Sequence, residues 1–278
     1  MNWNAQSEID EGFRKKVIWA SAVIIALGVA GAIYYYKYYA APPPPPKVEP
    51  GRPAAPVQAT EPEVRNPVPE DQAASKPLPA LKESDPELHD SLVGLLGAPA
   101  VQQFLVPENI VRHVVVTVDN LPRKKVAAEL RPVKPTPGTA EITTQGDITT
   151  LSAADYARYT PFIHLVQSVD AQNVASVYFR LYPLFQQAYE DLGYPGQYFN
   201  DRLVEVIDDM LRAPDVQGPI QVTQPKVFYE FADPHLESLS AGQKLMLRIG
   251  PQNEAIVKAK LRELRKAVAN REEQPVTH

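Results

Sequence analysis

Three carboxylates are the side chains best placed for acid–base chemistry, because each lies among apolar or aromatic neighbours. They are Asp119 in the phrase VTVDNL, and Glu230 and Asp233 in the phrase VFYEFADP. A carboxyl group buried in such surroundings can have a shifted pKa and act as a general acid or base. The same surroundings suit a helix cap or an internal ion pair, and the sequence favours this structural role. Arginines that could supply the pairing also lie in apolar stretches: Arg112, Arg158 and Arg180.

A second candidate is a basic face on the last predicted helix, formed by Lys258, Arg262, Arg265 and Lys266. Charge is unevenly distributed, since residues 141–237 carry 5 basic and 14 acidic groups whereas residues 244–271 carry 8 and 2. One interpretation is a weak binding patch for an anionic partner. The other interpretation, which we favour, is that this helix pairs with the acidic middle of its own domain or is simply solvated.

Several classes of site have no support in the sequence. The chain has no cysteine, which excludes thiolate metal sites, cysteine catalysis and a disulfide scaffold. Its histidines show no metal-ligand spacing, and there is no GxSxG elbow, phosphate-binding loop or dinucleotide fingerprint. A formal net charge of −5 argues against nucleic acid as a partner. We therefore expect no cofactor, no metal and no nucleic acid, and the three carboxylates are only weak catalytic candidates.

An uncharged apolar run near the start of the chain would attach the protein to a membrane. Residues 17–36 contain no charged side chain and are flanked by Lys16 and Lys37. A helix of this length spans the hydrocarbon core of about 30 Å. We therefore predict a single membrane-spanning helix over 17–39, which includes the tyrosines at its end because tyrosine is typical of the membrane interface. Basic residues in the 1–16 tail predict that this tail is cytoplasmic. A stripe of small residues would suit helix pairing and therefore a homodimer: Ala22, Ala26 and Ala30.

Residues 40–84 hold 13 of the 29 prolines, five of them in one run. Such a stretch buries too little apolar surface to offset the entropy of ordering, so we predict a disordered, proline-rich linker. Its favoured role is that of a spacer. The alternative is that the linker is itself a ligand for a proline-binding domain.

Residues 85–270 are long enough to build one hydrophobic core, and 271–278 are predicted to be a disordered tail. Apolar residues recur at helical spacing, which predicts a mainly α domain. Gly146-Asp147 lies between two Thr/Ile-rich arms and predicts a small β-hairpin over 142–151. The principal predicted helices start at Asp85-Pro86 or cover 174–189, 199–211 and 251–269. The valine-rich segment 110–121 is ambiguous: its β-branched residues suit a strand, whereas its apolar residues fit helical spacing, and we favour a helix.

Several long phrases occur in an order that is recognisable. Among them are TVDNLPR (117–123), YPLFQQAYEDLGYP (182–195), FNDRLVEVIDD (199–209), KVFYEFADPHLE (226–237) and SAGQKLMLRIGPQN (240–253). Over roughly 85–268 the chain resembles the domain of unknown function 3014 family, found mostly in proteobacteria. The resemblance implies the same layout of membrane helix, proline-rich stretch and folded domain. It implies no activity, catalytic residue or ligand.

These observations predict a bacterial inner-membrane protein with a single span, a cytoplasmic N-terminus and a periplasmic C-terminal domain. Its leading predicted role is binding, as a scaffold, adaptor or accessory subunit. Besides the bilayer contacted through 17–39, we expect an envelope protein or an anionic envelope polymer as partner. The alternative is a periplasmic enzyme that acts on a cell-wall or lipid-linked substrate through a buried carboxylate.

Overall fold

The computed structural model describes residues 63–69 and 77–269. Short 3-10 turns occur at Leu81–Glu83 and Ala128–Leu130. The helices are α1 Asp85–Leu96, α2 Ala98–Phe104, α3 Ile110–Asn120, α4 Ala153–Ala157, α5 Thr160–Ser168, α6 Ala171–Asp191, α7 Phe199–Leu211, α8 Pro234–Glu237, α9 Ala241–Arg248 and α10 Pro251–Val268. The strands are β1 Ile142–Gln145, β2 Ile148–Leu151, β3 Val222–Thr223 and β4 Glu230–Phe231. The predicted mainly α domain with a small hairpin is confirmed for this part of the chain.

The centre of the domain is α6, which packs against both α3 and α10. Helix α7 lies beside it and contacts α3, α9 and α10. The core between α3, α6 and α7 is built from buried side chains, and the largest fully buried ones include Leu181 and Phe199. Pro183 lies within α6 without ending the helix. The long apolar stripe predicted for this segment is therefore the central element of the fold.

The valine-rich segment after residue 109 forms helix α3, although its β-branched residues also suit a strand. Ile110, Val111 and Val115 are all buried, which is the helical spacing of one face. Its start is capped from outside: the Asp85 carboxylate accepts bonds from the backbone N–H groups of Asn109 and Ile110, at 2.7 and 2.9 Å. The N-cap of α1 is Ser84, so the Asp85 carboxylate caps α3 and not its own helix, α1.

Two antiparallel hairpins lie side by side. The predicted hairpin is confirmed, with β1 and β2 joined by the two-residue turn Gly146-Asp147. Strands β3 and β4 form a second antiparallel pair. A bridge between Thr150 and Gln221 connects β2 to the start of β3, and it is also antiparallel.

Residues 63–69 and 77–84, which fall within the predicted linker, pack onto the domain. Leu81 is buried in the core around α6, and Leu78 packs against the same cluster. Asn66 is also buried, at 8% exposure. Composition averaged over 40–84 does not reveal these contacts, because single residues within the stretch make them.

The remaining predictions for the N-terminal region fall on residues outside the described part of the chain. They include the tail 1–16, the membrane helix 17–39 and most of the linker; the tail 271–278 also lies outside. Among the helices of 63–69 and 77–269, none combines the length and apolar character needed to cross a bilayer.

The close approach between Gly250 and Tyr156 yields a stability prediction. Gly250 has φ of +84°, a region disfavoured for L-residues, and an added Cβ would overlap the Tyr156 ring. We expect Gly250→Ala to lower the free energy of unfolding by about 2–4 kcal/mol, combining backbone strain with overpacking. Urea unfolding of the purified chain measures this loss.

The matched control is Gly94→Ala, which lies inside α1 with open space around the new methyl group. It should be neutral or stabilise the protein by up to about 1 kcal/mol, since alanine favours helix. Equal effects of the two substitutions would contradict the packing described for Gly250.

Candidate functional site

A cleft of about 440 Å³ opens between the strap, α3 and α7, where the strap denotes residues 63–69. The connection between α6 and α7 supplies a further wall. The lining is rich in charged and aromatic groups, including Glu63, Arg65, Asp119, Tyr194, Arg202 and Glu205. Of the three catalytic candidates, only Asp119 lies in this cleft.

Asp119 is the more deeply buried of two buried carboxylates in the cleft, at 3% exposure against 7% for Asp201. Its Oδ2 accepts a 2.6 Å bond from Arg123 Nη2, and its Oδ1 accepts a 3.2 Å bond from Arg202 Nε. Arg202 Nη2 also donates to the Asp119 backbone carbonyl at 2.8 Å, close to the end of α3. Two guanidinium groups therefore neutralise one carboxylate, and this carboxylate in turn raises the pKa of Arg123.

The aromatic wall of the cleft is a stacked pair of tyrosines. The rings of Tyr189 and Tyr194 lie 4.6 Å apart with an interplanar angle of 19°. Arg123 Nη2 donates to the Tyr194 hydroxyl at 2.7 Å, and this hydroxyl donates to Asp119 Oδ2 at 3.3 Å. Burial raises the pKa of Tyr189 to about 12, so its hydroxyl is neutral at physiological pH.

The strap is attached through Asp201, in the first turn of α7. Asp201 Oδ1 accepts bonds from the backbone N–H and the side-chain amide of Asn66, at 2.7 and 2.8 Å. Its Oδ2 accepts from the backbone N–H of Arg65 at 3.1 Å. A carboxylate at a helix N-terminus is also favoured by the helix dipole. This attachment holds Glu63 and Arg65 at the cleft.

The preceding residue, Asn200, is completely buried and joins four segments. Its Nδ2 donates to the backbone carbonyls of Asn66 and Val268, at 2.9 and 3.0 Å. Its Oδ1 accepts from the Tyr178 hydroxyl at 3.2 Å. The strap, α6, α7 and the end of α10 therefore meet at one side chain.

The other two catalytic candidates lie outside the cleft, and both are exposed. Glu230 belongs to β4, and Asp233 is the N-cap of α8, where its Oδ1 accepts from the His235 N–H at 2.8 Å. The cap predicted as the structural alternative is therefore the role that Asp233 has here.

The arginines suggested as partners of these carboxylates pair elsewhere. Arg112 binds Asp191, Arg158 binds Asp155 and Arg180 binds Glu87. The pairing expected for Asp119 exists, but its arginines are different ones.

The predicted basic face of α10 is divided between buried and exposed positions. Lys258 is 6% exposed, and its Nζ lies 2.7 Å from Asp215 Oδ1 and 2.8 Å from Glu254 Oε1. Burial favours a lower pKa for Lys258, but its bonds to Asp215 and Glu254 outweigh burial and raise it. Arg265 forms a two-pronged pair with Asp208. Arg262 and Lys266 are exposed.

Asp215 and Asp208 belong to the acidic middle of the chain, whereas Glu254 lies on α10 itself. Lys258 and Arg265 therefore pair within the domain, as the internal-pairing interpretation expects. No group of three or more His, Asp or Glu side chains in 63–69 and 77–269 has the geometry to hold a metal ion.

Of the residues that line the cleft, sequence reasoning found only Asp119. The missed residues with the most direct part in the bonding of the site are Arg123, Tyr194, Asp201 and Arg202. One local signal was available, since Arg123 follows Asp119 by four residues and such pairs share a helix face. For the others the sequence carries no local signal, because their contacts join segments 75 to 136 residues apart.

A family model described as "Protein of unknown function (DUF3014)" matches residues 110–265. No curated protein and no solved structure matches the chain. The matched range begins with α3 and ends within α10. It therefore includes Asp119, Tyr194 and Arg202 of the cleft but excludes the strap.

The strap yields a second prediction. In Asp201→Ala the buried N–H of Asn66 loses its acceptor, which should weaken strap docking by about 2 kcal/mol, or roughly 30-fold. Hydrogen exchange at the amides of Arg65 and Asn66 should rise accordingly. The control is Glu205→Ala, one turn further along α7 and 52% exposed. Unchanged exchange in Asp201→Ala would show that other contacts hold the strap.

Proposed function

The chain belongs to the DUF3014 family, whose description names no activity, and we propose that it is a membrane-tethered cell-envelope protein that acts by binding. In this proposal residues 17–39 cross the inner membrane once and the described domain lies in the periplasm. The cleft is the site where the domain, as a scaffold, adaptor or accessory subunit, receives a partner. The observation that carries the proposal is the arrangement of charges around Asp119.

Asp119 is arranged for structure rather than for proton transfer. A general acid or base needs an oxygen within hydrogen-bond reach of substrate. Both oxygens of Asp119 are instead occupied, one by Arg202 and the other by Arg123 and Tyr194. Glu230 and Asp233 are outside the cleft. The geometry therefore favours binding over the alternative of an enzyme with a buried catalytic carboxylate.

The chemistry of the cleft favours a cationic group on the partner. Four carboxylates and two guanidinium groups line it, so the lining is negatively charged overall. Asp119 and Asp201 are buried and bonded within the domain. Glu205 is exposed and pairs with Arg202 at 3.1 Å, and Glu63 is exposed. Carboxylates beside tyrosine rings suit a lysine or arginine side chain. An envelope protein with an exposed basic segment is therefore the proposed partner.

The other predicted partner, an anionic envelope polymer, has less support. The predicted site for it was the basic face of α10, and two of its four cations are held within the domain by Asp215, Glu254 and Asp208. Only Arg262 and Lys266 of this face are exposed, so we favour the protein partner over the polymer.

The first test is membrane topology. Because the chain has no cysteine, an introduced cysteine is the one thiol that can be labelled. Single-cysteine variants at Asn4 and Glu129 would be treated in whole cells with a membrane-impermeant maleimide that reaches the periplasm. We expect labelling at position 129 and protection at position 4 until the inner membrane is disrupted. Labelling at position 4 alone, or protection of both, would contradict the proposed orientation.

The second test asks whether the cleft binds a basic segment. A photo-crosslinking residue in place of Gln197, which lines the cleft and is exposed, should capture a partner in living cells. Glu63→Arg should abolish this adduct, because it places a positive charge where a cation is expected to bind. The matched control is Glu129→Arg, at an exposed position outside the cleft lining.

The crosslinked peptide of the partner should contain lysine or arginine. An adduct that survives Glu63→Arg, or one that both variants abolish equally, would contradict the proposed site. Thermal unfolding of both variants checks that neither effect reflects loss of the fold.

A further inference from the structure

The largest apolar exposure in the described domain is concentrated at the loop between β3 and β4. Phe228 is 80% exposed and Val227 is 76% exposed, more than any other large hydrophobic side chain of this part of the chain. Contiguous exposed apolar groups are typical of interaction sites, whereas single scattered ones are common on any surface. Neither residue takes part in the cleft.

The sheet topology brings a third exposed apolar residue to the same end. Strand β2 pairs antiparallel with β1 through the turn at Gly146-Asp147, and the bridge between Thr150 and Gln221 is antiparallel as well. Strand β3 therefore runs toward that turn, so the loop 224–229 and the turn emerge from one end of the sheet. Ile148, the first residue after the turn, is 52% exposed. We call Ile148, Val227 and Phe228 the apolar tip.

The base of the loop is fixed, so the tip is presented rather than free to collapse. Arg248 Nη2 donates to the Tyr229 carbonyl at 2.7 Å, and its guanidinium lies 4.9 Å from the ring centre of buried Phe231. The Gln224 side chain donates to the Val227 carbonyl at 3.0 Å across the loop. Lys226, beside the tip, is exposed.

We infer that the apolar tip inserts into the interface of a lipid bilayer, as a second membrane contact of the tethered domain. An aromatic and an aliphatic side chain next to a lysine match the composition of interfacial anchors, in which the cation stays at headgroup level. This inference rests on the proposed membrane tether. A tip of three residues binds weakly alone, and the tether makes that weak contact intramolecular.

The length of chain before the strap supports the bilayer as the occupant. Only the 23 residues from 40 to 62 separate the predicted span from the strap. Fully extended, they reach about 80 Å at most, which exceeds the width of a domain this size. The bilayer is therefore always within reach of the tip, whichever side of the domain faces it.

The test uses the full chain reconstituted into phosphatidylethanolamine–phosphatidylglycerol vesicles. A Val227→Cys variant, the only cysteine of the chain, carries an environment-sensitive NBD fluorophore. We expect a blue-shifted emission that is lost when the vesicles contain lipids with spin-labelled acyl chains. The same fluorophore on Glu129→Cys should remain unshifted and unquenched.

A second variant separates insertion from mere proximity. Adding Phe228→Ser to Val227→Cys should remove the blue shift and the quenching. Adding Leu130→Ser, at another exposed apolar position of 41% exposure, should leave both unchanged. Because these side chains are exposed, neither substitution should change thermal unfolding.

Flotation of the vesicles distinguishes failure of the tether from failure of the tip. A chain that does not float would refute the tether and this inference with it. A chain that floats without quenching at position 227 would overturn the tip insertion alone. A blue shift found only in native membranes, and not in pure lipid, would assign the tip to an apolar pocket of another protein and would also overturn the inference.

Discussion

The constraint on which the structure depends is the hydrogen bonding of a fully buried amide, Asn200. A buried polar group must find partners inside the protein, because an unmade bond costs about 1–3 kcal/mol. Asn200 finds them in the strap, in α6 through Tyr178 and at the end of α10. The first turn of α7 therefore determines where these segments lie, and its neighbour Asp201 adds the charge that holds the strap.

Three residues in the first half of α7 form one side of the cleft, and each has a different contact. Asp201 faces the strap, Arg202 reaches back to Asp119 on α3, and Glu205 lies one turn further with its carboxylate 3.1 Å from Arg202. Since Asp119 is buried, it requires its arginines, as a buried charge without a partner would be strongly destabilising. The same contacts that neutralise Asp119 fix the wall that a ligand would meet. Stability and the proposed site thus share residues.

Helices and the hairpin were predictable because their signals are local. Helical spacing resolved the valine-rich segment that forms α3, and the Gly146-Asp147 turn marked the β1–β2 hairpin. The sequence indicated the kind of interaction in two cases: a helix cap for Asp233, and ion pairs within the domain for Lys258 and Arg265. Their partners were not, because pairing depends on which helix faces lie together. Asn200 and Asp201 lie at the start of the predicted helix 199–211, yet their side chains bind a segment more than 130 residues earlier.

The strap connects the proposed binding role with the N-terminal part of the chain. Glu63 and Arg65 line the cleft, while Asn66 and the backbone of Arg65 hold the strap on Asp201. A ligand that contacts Glu63 binds only the docked arrangement of the strap. By linkage, such a ligand must stabilise docking by the same free energy that docking adds to its own binding. Tension from the preceding chain that detached the strap would therefore weaken binding in the cleft, because both equilibria depend on Asp201.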